Sequence, residues 1–336
     1  MPLQLLRRPR RNRHTASIRA LVQETKFHRE NFVQPLFFHA GEGSPEPIDA
    51  MPGVLRHTLS SLLEECRTLV DLGMPAVALF PCIEPSEKNP EGTHATDSSN
   101  ILYRAIEGIK KVSANLMIIA DVALDPYTSH GHDGLLTEKG EVDNDSTIEA
   151  LIRLALLEAE AGADLLAPSD MMDGRIRAIR HALDRASFED RGIMAYSAKY
   201  ASAYYTPFRE ALQSRPGAIP LDKKSYQMDP ANTREALLEA KLDEEEGADI
   251  LLIKPAGLYL DVISSIRKMT LLPLAAYQVS GEYAQICAAA RAGWLDYQAA
   301  RDESLIAIKR AGASIILSYF SAEVLKELNQ QKLCSS

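Results

Sequence analysis

Eighteen consecutive apolar residues occur nowhere in the chain, so the sequence predicts no membrane-spanning helix. Cysteine is scarce as well: Cys66, Cys82, Cys287 and Cys334 stand apart, with no CxxC or CxH grouping. That scatter argues against a cysteine zinc site and a disulfide framework, and it suits a reducing compartment. No GxGxxG follows the first strand and GxxxxGK[ST] is absent, which leaves a nucleotide-binding fold without support. An apolar signal core is missing too, so secretion is not expected. Acid is lacking at the N-terminus as well. From Arg7 to Arg19 there are six arginines and no Asp or Glu, in a chain whose net charge is −9. Such a start reads as a nucleic-acid arm, an organelle-targeting segment or an arm that packs on another subunit, and the last is favoured. The acidic remainder makes nucleic acid an unexpected main ligand.

What is present is one unit repeated from about residue 32: an apolar strand, a polar loop, then an amphipathic helix. The strands read as "FVQPLFF", "AVALFPC", "MIIADVAL", "DLLAPS", "IMAYSAK", "DILLIKP", "PLAAYQVS" and "ASIILSYF". Three helices end alike, in "EAGAD", "EEGAD" and "RAGAS", where glycine supplies a left-handed stop before the chain turns back into a strand. Short, continuously apolar strands alternating with helices imply a parallel sheet under helices, and about eight units favour a closed (β/α)8 TIM barrel. The expected layout is an N-terminal arm over 1–31, a catalytic barrel over 32–330 and a tail over 331–336. Two long polar loops, 39–53 and 206–232, read as lids or binding segments.

Barrel chemistry gathers at the C-terminal strand ends, and the candidate residues do the same. Asp121 and Asp125 follow the third strand, Ser169 the fourth, Lys199 the fifth, Lys254 the sixth, Ser280 the seventh and Tyr319 the eighth. A strand-end lysine ordinarily snorkels its amine to water. Here two lysines end strands that should be neighbours, about 4.8 Å apart. At an effective dielectric of about 20, charges 6 Å apart repel by roughly 2.8 kcal/mol, so at least one amine should be neutral near pH 7. A neutral, positioned lysine is what Schiff-base chemistry on a carbonyl requires. The segment "DVALDPYTSHGHDG" adds Asp133, His130 and His132, and reads either as a divalent-metal site or as carboxylates for a substrate amine.

These blocks resemble porphobilinogen synthase, or 5-aminolevulinate dehydratase, over nearly the whole chain. "GADILLIKPAGLYLD" is similar to that family's active-site lysine signature; "YSAKYASAYYTPFRE", "APSDMMDGR", "YQMDPAN" and "YQVSGEYA" resemble its other blocks. The resemblance implies condensation of two 5-aminolevulinate molecules to porphobilinogen, a lyase reaction of tetrapyrrole biosynthesis that loses two waters. It implies Lys254 as the first Schiff-base lysine and Lys199 as the second. Arg209, Lys223 and Gln227 would meet the second substrate, and Ser280 and Tyr319 the first one's carboxylate. Asp121 and Ser169 would contact its amine, with Asp125, Asp133 and Tyr205 completing the substrate site. Zinc-dependent relatives carry three cysteines where this chain has Ala123, Asp125 and Asp133, so no catalytic zinc is expected, nor an organic cofactor. An allosteric Mg²⁺ is implied at Glu239, as is a homo-oligomer, an octamer in this family. The expected compartment is the cytoplasm, or the plastid stroma for a eukaryotic source. The rivals are another Schiff-base barrel such as an aldolase, a metal-dependent barrel hydrolase, and a binding protein using its basic arm.

Overall fold

The computed structural model describes residues 5–212 and 222–333. Eight parallel strands form a barrel: β1 (Phe32–His39), β2 (Ala76–Cys82), β3 (Met117–Val122), β4 (Leu165–Pro168), β5 (Gly192–Lys199), β6 (Ile250–Lys254), β7 (Leu274–Gln278) and β8 (Ile315–Ser318). Each pairs with the next in sequence. Phe32 of β1 lies opposite Ile316 of β8, which closes the ring. Because helices cover the outside, the strands are buried on both faces, and this is why they read as unbroken apolar runs.

The helices start and stop where local chemistry allows. Thr58, Asn100, Asp143 and Asp296 each accept a backbone N–H of the first turn of the helix they precede. Gly162, Gly247 and Gly312 hold φ of 108°, 104° and 131°, a region closed to most side chains, and each ends a helix ahead of a strand. The last helix, Ser321–Leu333, runs beyond the boundary expected at 330.

Segment 39–53 is not a plain loop. Glu46–Pro47 pairs antiparallel with Leu55–Thr58, and the latter also runs alongside β1. Buried Arg56 pairs there with Glu46 at 2.6 Å. Its guanidinium also donates to the carbonyls of Ala211 (2.9 Å) and Glu210 (3.3 Å), at the C-terminal end of helix Thr206–Ala211. The Leu55–Thr58 strand thereby holds helix Thr206–Ala211. Residues 213–221 of the expected 206–232 lid lie outside the described residues.

Under β4 and β5 sits a buried ion pair. Arg175 forms a two-pronged contact to Asp243 at 2.8 and 3.1 Å, with Asp170 at 3.6 Å and the Tyr196 carbonyl at 3.3 Å. Removing one partner of such a pair strands a charge without water. Arg175→Ala is therefore expected to lower stability by about 3–5 kcal/mol, read as a fall in the denaturant midpoint. An unchanged midpoint contradicts this reading of the pair.

Candidate active site

β5 and β6 are in register so that Lys199 lies directly opposite Lys254 at the carboxyl end of the barrel. Both are buried, at 5% and 7% exposure, yet their surroundings differ. The Lys254 Nζ lies 4.9 to 5.2 Å from the ring centroids of Tyr196, Tyr205, Phe208 and Tyr277. Ring faces attract a cation. Loss of water outweighs that attraction: burial, reinforced by the charge on Lys199, pushes the Lys254 amine down to about 7, against the pull of Asp121, Asp125 and Asp133.

Lys199 goes the other way. It donates to Asp133 Oδ1 at 2.9 Å and to the Ser169 carbonyl. Burial pulls its amine down, but Asp133 and Asp125 more than reverse the effect, and it stays protonated beyond the usual lysine range. Asp133 is the anion both neighbours share. Its other oxygen accepts from Lys223 at 2.8 Å and from the Tyr226 hydroxyl at 2.9 Å. Burial alone would raise this carboxyl; Lys199 and Lys223 hold it well below the carboxylate range. Lys223 also reaches Asp125 at 3.4 Å.

Asp121, on β3, has a buried Oδ1 with no hydrogen-bond partner among the described residues. Burial pushes its carboxyl up to about 6, against the pull of Lys254. It is an acceptor with a free lone pair beside the two amines. Ser169 is buried and supplies the carbonyl that Lys199 meets. Tyr205 donates its hydroxyl to the Lys254 carbonyl at 3.3 Å. Tyr319 shares a 2.9 Å hydroxyl contact with Tyr277, and Arg209 lies on helix Thr206–Ala211.

Some expected site residues have other partners here. The Ser280 hydroxyl accepts from the Phe208 N–H at 2.9 Å and donates to the Tyr204 carbonyl, fastening helix Thr206–Ala211 to the segment after β7. Gln227 and Glu239 line a separate groove of about 430 Å³ with Tyr226, Asp173 and Glu235. There burial, with help from Asp243, Asp173 and Glu235, pushes the Glu239 carboxyl up to about 7 against Arg175. Glu239 is half-buried.

The metal reading of segment 121–134 is not supported. His132 Nδ1 lies 3.2 Å from the Tyr226 hydroxyl and His130 Nε2 lies 3.0 Å from the Pro90 carbonyl. Asp125 and Asp133 are engaged by lysines. Among the described residues no group of three or more His, Cys, Asp or Glu could hold a metal ion. The donor set at Ala123, Asp125 and Asp133 likewise offers no thiolate for zinc.

Sequence reasoning missed the aromatic enclosure. Strict alternation puts Tyr196 and Lys199 on opposite faces, but the β5–β6 register shifts between Ala195 and Ala198, bringing Tyr196 beside Lys254. It also missed Arg56, whose carbonyl partners on Ala211 and Glu210 are more than 150 residues away in the chain.

The sequence pattern of the family described as "Delta-aminolevulinic acid dehydratase" matches residues 6–327. The chain belongs to the delta-aminolevulinic acid dehydratase family. A dehydratase of that name from Chlamydia pneumoniae is 52% identical over 328 residues, covering 98% of each chain. A chloroplastic one from Physcomitrium patens is 50% identical over 333 residues, covering 99% of this chain and 76% of the other. Among solved structures, a porphobilinogen synthase from Toxoplasma gondii, in complex with the reaction product porphobilinogen, superposes with a TM-score of 0.94. It is 44% identical and covers 97% of this chain and 92% of the other. In this dehydratase-family barrel, no helix among the described residues is long and apolar enough to cross a membrane.

The shared anion generates a pH-dependent prediction. Because the folded Asp133 carboxyl sits below its unfolded value, its contribution is complete above about pH 5 and fades as pH falls below about 4, where the unfolded chain takes up the proton first. Asp133→Asn is expected to destabilise the protein by about 3–5 kcal/mol at neutral pH and to flatten that acid decline. Unfolding midpoints measured from pH 3 to 7 check it, and parallel curves for parent and variant contradict it.

Proposed function

We infer that this chain condenses two molecules of 5-aminolevulinate into porphobilinogen with loss of two waters, as a lyase of tetrapyrrole biosynthesis. The observation that carries the residue roles is the register pair Lys199–Lys254, one amine near neutrality and the other charged. Lys254, with a free electron pair near pH 7, attacks the ketone of the first substrate and expels water to form an imine. Lys199 must first release a proton, and Asp133, which accepts from it, is the carboxylate that can take that proton once Lys223 leaves. Its imine with the second ketone expels the second water. Both lysines return to amines as the carbon–carbon and carbon–nitrogen bonds between the substrates form. An aldolase of the single-lysine kind needs only one imine-forming lysine, so the Lys199–Lys254 pair counts against that rival.

Each substrate also brings a carboxylate and an ammonium. The unpartnered Oδ1 of Asp121, with Ser169, suits the ammonium of the first substrate. Tyr319 and Ser280 suit its carboxylate, the latter by turning its hydroxyl proton from the Tyr204 carbonyl to the anion. Arg209, Lys223 and Gln227 are assigned to the second substrate; Lys223 would leave Asp125 and Asp133 to reach an anion. Tyr205 and Phe208 then cover the site, and keeping water out protects imines from hydrolysis.

Mg²⁺ fits the groove at Glu239. Arg175, the cation facing that carboxyl, is already taken by Asp243, and Glu235 and Asp173 add negative charge. A hydrated divalent ion needs only one or two carboxylates and would let Glu239 ionise. The ion's role there is regulatory. The arm supports the octamer reading: Leu6 and Leu21 are 97% and 80% exposed, and a second subunit would cover them. Residues 1–4 of that arm lie outside the described residues. A reducing compartment, the cytoplasm or a plastid stroma, suits the free, buried Cys66, Cys82 and Cys287.

Borohydride reduction with 5-aminolevulinate should leave a mass adduct on Lys254, and Lys254→Ala should lose turnover while keeping the fold. Substantial activity in that variant overturns the assignment. For the regulatory ion, Mg²⁺ added to an EDTA-treated sample should raise activity, and Glu239→Ala should abolish the stimulation. Activity lost on chelation and restored only by zinc contradicts it.

A further inference from the structure

We infer that Glu282 is a positioning residue for Lys254, its carboxylate tying down the turn that follows the lysine and so keeping the amine inside its aromatic enclosure. The inference rests on the reading of Lys254 as the imine-forming lysine. The β6–β7 ladder ends at Ile253 opposite Ala276, one residue before Lys254. Pro255 has no N–H, so Ala256 and Gly257 carry the first amide hydrogens after the lysine. Both go to one carboxylate. Glu282 Oε2 accepts from the Ala256 N–H at 3.3 Å, and Oε1 from the Gly257 N–H at 2.5 Å. Oε2 also accepts from the Val279 N–H at 2.7 Å, the first residue after β7. A single buried side chain therefore joins the ends of two barrel strands where the sheet itself no longer does.

The fit is tight. A Cβ on Gly257 would lie 2.5 Å from Glu282 Oε1, so glycine is what allows the carboxylate to sit against the turn. Every partner is a donor, and only a group with acceptors on both prongs serves all of them. The ionisable groups facing Glu282 are the phenols of Tyr205 and Tyr259, so its charge is balanced by amide dipoles. Burial pushes its carboxyl up to about 7 while those N–H groups pull it down. Tyr205 links the two sites, because its ring covers the Lys254 amine and its hydroxyl donates to the Lys254 carbonyl. Loosening the turn lets the Lys254 backbone move away from the rings and admits water to the amine. The charged groups facing that amine, Lys199, Asp121, Asp125 and Asp133, lie on β5, on β3 or after β3, and the phenols of Tyr196 and Tyr277 lie on β5 and β7; none of them is touched by the change.

The test uses Glu282→Gln, in which an NH₂ must face at least one N–H donor, and Gly257→Ala, which crowds the same carboxylate without altering any charge. Reductive trapping with cyanoborohydride and 5-aminolevulinate is followed against pH, per folded molecule, alongside kcat and KM. In both variants the trapping midpoint should move up by roughly half to one pH unit, as the amine regains water. The value of kcat should fall roughly tenfold, with KM changing much less. Variants that trap with the parent's midpoint, losing only folded protein, make Glu282 a structural strut and overturn the inference. Failure of both variants to fold overturns it in the same way. A parent chain that forms no adduct at any pH overturns the Schiff-base reading itself, a result distinct from unshifted variants.

Discussion

Two ammonium groups cannot share a dry pocket, and most of the active-site architecture follows from how this barrel resolves that conflict. Placing Lys199 opposite Lys254 on adjacent strands fixes both amines at one level of the mouth. Asp133 neutralises one, and four rings strip water from the other. Each arrangement strengthens its counterpart: a charged Lys199 makes it harder to protonate Lys254, and an uncharged Lys254 leaves Asp133 to Lys199 and Lys223. Burial pushes both amines in one direction; the carboxylates beside Lys199, Asp133 foremost, make their outcomes differ.

The same logic reaches the periphery. The Ser169 carbonyl that meets Lys199 precedes Asp170, which lies against the buried Arg175–Asp243 pair, and Arg175 in turn faces Glu239. On the other side, Arg56 in the antiparallel hairpin holds the carbonyl end of the helix that presents Phe208 to Lys254. Ser280 holds the first turn of that helix. Rings that must stay within about 5 Å of an amine need such fixed supports, because a small drift readmits water and restores the ordinary lysine.

The barrel was legible because parallel strands buried on both faces read as unbroken apolar runs. Gly162, Gly247 and Gly312 then mark the helix ends with the conformation only glycine takes easily. Lys199 and Lys254 were legible because strand ends in this architecture face the mouth. What stayed hidden depends on contacts distant in sequence or on broken alternation. Tyr196 is reached through the register shift in β5, and Arg56 finds its partners through folding alone. The segment holding His130 and His132 read either as a metal site or as carboxylates for an amine, but the Pro90 carbonyl and the Tyr226 hydroxyl each engage one of their ring nitrogens. A short segment rich in donors carries no record of which neighbours will claim them.

The difference between the two lysines is open to direct measurement. In protein labelled with ¹⁵N at the lysine Nζ, the Lys254 resonance, assigned by substitution, should titrate near pH 7, while Lys199 remains protonated through pH 9. Two lysines that both titrate near the ordinary value of about 10.4 contradict the account.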